Sequence, residues 1–267
     1  MIPESGSPEH FKILMGWLKD CNGNHPGCRP VHPPSVPTRL IDVRGANSPT
    51  VRLIDTGPSD SLHYAALSHP WGDTEKLPPF CTYRSNIDKF KQWIKMKDLP
   101  DTFRDAIITT RALELQYLWI DSICIVQGYD GDFTAEASKM EYVFSSAYCV
   151  ITASRASGQY DGFLKSRPSR DYVTFRQGSN EQFYVCATID NFKKDVLEGA
   201  LNKRGWVLQE RALARRTIYF AENQTYWECG AGVRCETLAR MSKYVLGAPH
   251  LPLSSYLNYT DYSIPYY

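Results

Sequence analysis

The sequence predicts an α/β domain built on a mainly parallel sheet flanked by helices. Three observations carry this. Short, nearly unbroken apolar runs, YAALS (64–68), LWIDSICIV (118–126) and YCVITAS (148–154), alternate with stretches of helical periodicity. Strands covered on both faces read as continuous apolar strings, whereas half-exposed strands alternate. The order strand, helix, strand, helix, strand is the one that crossover connections between parallel strands require.

Each element has its own warrant. Residues 7–20 predict a helix, with Ser7 as N-cap, Pro8 at the first position and Phe11, Leu14, Met15 and Leu18 on one face. A turn-rich stretch from Cys21 to Pro37 follows. RLIDV (39–43) and VRLID (51–55) predict a hairpin, placed at the periphery together with a second hairpin over 172–188. Thr102 and Asp105 have the spacing of a capping pair for a helix over 102–117, and 118–125 is read as strand throughout. A helix near 135–147 leads into strand 148–154. A helix over 203–213 precedes strands 216–221 and 224–229. No linker divides the 267 residues into independent folding units. The expected organisation is a helix and Cys/His loop over 1–37 packed on a domain spanning 38–245, with an extended tail from 246 to 267.

Composition excludes several classes. With 30 basic and 29 acidic side chains, the net charge of +1 offers no generic attraction to nucleic acid or an anionic membrane. No run reaches the ~18 apolar residues of a spanning helix. The N-terminus lacks the basic and apolar regions of a secretory signal. The eight cysteines imply no disulfide framework in a chain of this length, and the expected location is cytoplasmic. P-loop, GxGxxG, GxSxG and HExxH motifs are absent, which removes the corresponding nucleotidase, dehydrogenase, esterase and protease readings.

Three groups of residues are candidates for chemistry. Trp206 and Glu210 lie four apart on one helix face, separate from the apolar stripe Val207, Leu208 and Ala212, so Glu210 is free to reach a cleft rim. A carboxylate beside an aromatic ring suits a transition state with positive charge on a ribose carbon. Spacing alone favours the plainer role of surface ion-pair partner to Arg204, Arg211 or Arg215. Asp121 and Ser122 interrupt the most apolar strand, and Ser68, Trp71 and Gly72 end another, where ligands of open sheets bind. Structural roles for Asp121, as a loop cap, and Trp71, as a core plug, are equally compatible with the sequence. Cys21, His25 and Cys28 form C-x3-H-x2-C, three zinc ligands if His32, Cys229 or Cys235 supplies a fourth. A metal-free loop with free thiols is the alternative. Cys124, inside an apolar strand with no histidine placed to activate it, is a poor nucleophile.

Four blocks in order, YAALSHPWG, LPDTFRDAIITTRALELQYLWIDSICIVQ, EASKMEYVFSSAYCVITAS and LNKRGWVLQERALARRTIYF with YWEC after it, resemble the heterokaryon incompatibility (HET) domain of filamentous fungi over roughly residues 38–236. The resemblance implies non-self recognition and regulated cell death, and a TIR-like/flavodoxin-like core. Enzymatic TIR domains cleave NAD using a glutamate in a Trp-Cys-x-x-Glu pattern. Trp206 to Glu210 keeps that spacing, with Val207 in place of the cysteine. The resemblance thus implies NAD as substrate of an NAD nucleosidase, Glu210 as catalytic residue, and Ser68, Trp71, Gly72, Asp121, Ser122, Arg204 and Trp206 around the substrate. The competing expectation is a non-catalytic module that works by self-association or by binding an upstream sensor.

Overall fold

The computed structural model describes residues 2–28, 36–57, 60–177, 181–199, 201, 210–237 and 240–241. Helix α1 (Pro8–Asn24) begins where Ser7 Oγ accepts the His10 backbone N–H and places Leu14, Trp17, Leu18 and Cys21 in the core. A hairpin of β1 (Arg39–Asp42) and β2 (Thr50–Asp55) precedes β3 (Tyr64–Ser68). Next come α2 (Ile87–Gln92), β4 (Ile94–Lys95), α3 (Asp101–Ala112) and β5 (Tyr117–Trp119). The chain continues through α4 (Asp121–Cys124), α5 (Phe133–Ala137) and α6 (Met140–Ser146) to β6 (Cys149–Thr152). Strands β7 (Tyr172–Gln177) and β8 (Glu181–Cys186) pair only with each other. A helical turn at 210–213 leads into β9 (Arg216–Phe220), β10 (Thr225–Cys229), β11 (Gly232–Cys235) and β12 (Arg240–Met241).

Apart from β7 and β8, the described strands form one ten-stranded sheet ordered β12-β11-β10-β9-β6-β3-β5-β1-β2-β4. Its centre is parallel, through the pairs β3–β5, β3–β6 and β6–β9, and both wings are antiparallel. Every residue of β3, β6, β9 and β10 is buried, as expected of strands covered on both faces. Counted along the chain, the parallel strands lie in the order second, first, third, fourth. The strand order therefore reverses between β3 and β6.

Several expectations need correction. The strand expected over 118–125 ends at Trp119, and Asp121–Cys124 is a helical turn in which Asp121 Oδ1 accepts the Ser122 N–H at 2.7 Å. A buried helical turn and a buried strand are equally apolar, so hydrophobicity could not separate them. The hairpin expected at the periphery extends the main sheet, because β1 pairs with β5. Helix α3 stops at Ala112, five residues short of its expected end. Glu114 takes φ +58°, its N–H bonds Arg111 O at 3.0 Å, and Leu115 N–H bonds Thr110 O at 3.1 Å. That is a Schellman ending without glycine. Thr102 and Asp105 do not cap the helix. Thr102 Oγ1 donates to Gly158 O, and Asp105 Oδ2 accepts from the backbone N–H groups of Phe163 and Leu164. The helix expected over 135–147 is two short pieces, α5 and α6.

Candidate functional site

The sheet places a pocket over the point where its strand order reverses. Ser68 ends β3 and Thr152 ends β6, and the two are register partners. Val150 and Thr217, and Thr152 and Tyr219, are partners in the adjoining parallel pair. Alternate residues of a strand share a face. Ser68, Val150, Thr152, Thr217 and Tyr219 accordingly line one concavity, closed by Glu210 and Arg211 of the turn at 210–213. Ser68 Oγ donates to Glu210 Oε2 at 2.5 Å. The pocket holds about 10 Å³, room for roughly one water molecule.

Arg211, offered by the sequence as a partner for Glu210, donates from Nε and Nη2 to the two carboxylate oxygens of Glu228 on β10, at 3.0 and 2.9 Å. Tyr219 donates its hydroxyl to the same carboxylate at 2.7 Å. Burial, followed by the Glu228 charge, holds the Tyr219 phenol well above its usual range. Burial works against the Arg211 charge, but the bonds to Glu228 outweigh it and raise the Arg211 pKa. Glu210 thus meets Ser68 of β3, while Arg211 is engaged by Glu228. Arg204 and Trp206 lie outside the described residues, as do Val207 and Leu208 of the expected apolar stripe. Its third member, Ala212, is exposed, and Leu213 and Ala214 make the contact with the core.

Beyond β3 and β5 the other candidates form a separate group. Trp71 Nε1 donates to Asp121 Oδ2 at 2.7 Å, and His69 Nδ1 stands 3.9 Å from Asp121 Oδ1. Ser122 is fully buried behind them. Gly72, at φ +84°, lies against Gly158 in the loop after β6. Asp121, Ser122, Trp71 and Gly72 do not line the Glu210 pocket, although Ser68 and His69 are adjacent in sequence and tie the two groups together. Thr152, Thr217, Tyr219 and Glu228 were not among the residues singled out from sequence. Their relation to Glu210 is a matter of strand register, which no local pattern encodes.

At the carboxyl end of α1, Cys21, His25 and Cys28 meet Cys229 from the end of β10. Their ligand-type atoms all lie within 4.8 Å of one another. His32, another fourth-ligand candidate, is outside the described residues, and Cys235 sits elsewhere, bonded to Thr237 and Asp190. No described helix is long and apolar enough to cross a membrane.

Comparison with known proteins adds to this geometry. Residues 64–210 match the family described as heterokaryon incompatibility protein (HET). The chain is 26% identical over 227 residues to "Heterokaryon incompatibility protein 6, OR allele" of Neurospora crassa, covering 70% of this chain and 33% of that protein. This chain therefore spans about a third of that relative's length. No solved structure gives a significant match. The family match takes in more than half of the 267 residues, from the first strand of the parallel centre to Glu210 in the pocket wall, and this chain belongs to the HET family.

Proposed function

We propose that this chain serves fungal non-self recognition and regulated cell death by cleaving NAD at the nicotinamide–ribose bond, in the pocket between β3 and β6. The carrying observation is the position of Glu210, a carboxylate held by Ser68 where the order of the parallel strands reverses. In open α/β sheets, ligands bind outside the carboxyl ends of the strands at such a point. The strand order second, first, third, fourth supports a flavodoxin-like core of the kind TIR domains have. In the reaction the bond from ribose C1′ to the nicotinamide nitrogen breaks, and its electron pair leaves with neutral nicotinamide. Glu210 stabilises the positive charge developing on the ribose, and Ser68 orients the carboxylate. Water then adds its oxygen to C1′ and releases a proton, giving ADP-ribose. A ribose needs more room than the pocket of the free protein offers, so substrate must open it, with Trp71 and Asp121 at the neighbouring edge.

The second reading, a non-catalytic module that self-associates or engages an upstream sensor, is favoured by that small pocket and by the bond Glu210 already makes to Ser68. Fold alone does not decide between the two. The test incubates purified protein with NAD over a range of protein concentrations and follows nicotinamide. Cleavage by the wild type, lost by about 100-fold or more in Glu210→Gln with unchanged melting, supports the enzyme. Absence of nicotinamide release by the wild type at every concentration, or equal release by Glu210→Gln, overturns it.

A further inference from the structure

We propose that Cys21, His25, Cys28 and Cys229 bind a structural zinc ion that fastens the N-terminal helix to the antiparallel wing of the sheet. Cys21 comes from the last turns of α1, His25 is that helix's C-cap residue, Cys28 ends the 3₁₀ turn Pro26–Cys28, and Cys229 is the final residue of β10. Backbone bonds set the spacing of the first three, with His25 N–H to Cys21 O at 3.1 Å and Cys28 N–H to His25 O at 2.9 Å. The Cys229 Sγ to His25 Nδ1 distance is 3.5 Å. In a tetrahedron with Zn–S of about 2.3 Å and Zn–N of about 2.0 Å, sulfur and nitrogen stand roughly 3.5 Å apart.

The surroundings fit a thiolate-rich centre. Gly230 directs its backbone N–H at Cys28 Sγ at 3.2 Å, a bond that suits a metal-bound thiolate. A Cβ at that glycine would come within 3.1 Å of the same sulfur, so the backbone approaches as closely as it does because the residue is glycine. Zinc with three thiolates and one neutral imidazole carries one net negative charge. Arg216 is the register partner of Cys229 on β9 and is only 5% exposed. Its guanidinium lies over the Tyr148 ring at 5.0 Å and Nη1 donates to Tyr148 O at 3.5 Å. Its Nε lacks a hydrogen-bond partner, and among the described residues no ion pair joins Arg216 to a carboxylate. A buried cation of this kind calls for a nearby anion, and the zinc–thiolate centre supplies one. With four protein ligands and no open position, the centre is structural and not catalytic. It also explains why three buried cysteines that belong to no disulfide converge on one histidine.

The test begins with the full chain purified without added metal or chelator. Elemental analysis should find close to one zinc per chain, and a strong chelator should lower the melting temperature until zinc is returned. Cobalt substituted for zinc should give the intense visible and charge-transfer bands of a tetrahedral sulfur-rich site. Cys229→Ser should lose the metal, and Cys235→Ser should retain it. If Cys229→Ser fails to fold, the wild-type zinc content and cobalt spectrum still decide the matter. Zinc-free protein that gives no cobalt spectrum, or a disulfide joining two of the three cysteines, would overturn the proposal.

Discussion

His10 shows how one side chain ties the amino terminus to the distant wing of the sheet. It is fully buried, accepts the Gly6 N–H on Nδ1 at 3.0 Å, and stands 2.8 Å from Thr225 Oγ1 through Nε2. The neutral ring therefore carries its proton on Nε2 and donates it to Thr225. Burial, and then the charge of Arg167, pushes the His10 pKa down to about 3. The folded value lies below the unfolded one, so the stability it contributes is present above about pH 6.5 and is lost as pH falls toward 3. The slope is at most about 1.4 kcal/mol per pH unit. Glu236, 3.7 Å from His10 and paired with Arg167 at 2.6 Å, is raised by burial and works in the opposite sense just above its usual range. Thermal melts should show a clear loss of stability from pH 7 to pH 5, and His10→Gln should flatten that dependence. An equally steep dependence in His10→Gln would assign it to other groups. The sequence offered no sign of this role, because a histidine in the first turn of a helix reads as exposed until its partner 215 residues away is known.

At the scale of elements, the loops after β3 and β6 set the shape of the switch-point edge. They cross at Gly72 and Gly158 with backbone against backbone. A Cβ on Gly158 would stand 2.9 Å from Gly72 Cα, and one on Gly72 would stand 3.1 Å from Gly158 Cα at a φ of +84°. Neither neighbour is a side chain that can turn aside. Gly158→Ala should cost about 1–3 kcal/mol in urea denaturation, the range of overpacking in a closely fitted site. Stability within about 0.5 kcal/mol of wild type would show that the crossing tolerates separation. Gly72, which the sequence places among residues around a ligand, also packs backbone to backbone in this crossing. The same crossing is braced by Thr102 of α3, whose hydroxyl donates to Gly158 O and whose backbone N–H bonds Gln159 O at 3.0 Å. Local spacing had suggested that Thr102 caps its own helix. A polar side chain at a helix start can bond its own backbone or a neighbouring loop, and only the packed fold selects one.

For the whole molecule, the family match begins at residue 64, but the folding unit does not. Leu14, Trp17 and Leu18 of α1 and Leu40, Ile41, Val51 and Leu53 of β1 and β2 belong to the same apolar core as β3, β5 and β6. Strand β1 also covers the edge of β5. Each large apolar side chain contributes about 1.5–3 kcal/mol on burial, and a domain's net stability is only about 5–15 kcal/mol. A chain begun at residue 64 should therefore aggregate or lose its near-ultraviolet circular dichroism, whereas the chain from residue 1 unfolds cooperatively. Cooperative unfolding of the shortened chain at an unchanged melting temperature would refute this reading.

The sequence by itself determined the α/β class, strands β3 and β6 and the place of β5 at the parallel centre, the helix at the amino terminus and the family. These follow from periodicity, from end signals such as Ser7-Pro8, and from long ordered blocks of residues, all of which are local properties of the chain. Tertiary structure alone decided that the first hairpin joins the main sheet, that Asp121 begins a helical turn, and that Glu210 meets Ser68 while Arg211 turns to Glu228. It also brought Cys229, and not Cys235, beside Cys21, His25 and Cys28. The physical reason is shared by these cases. A strand's partners, its register and the face a short turn presents depend on which distant surfaces bury one another, and residues as far apart as Cys21 and Cys229 become neighbours only when the sheet between them has formed.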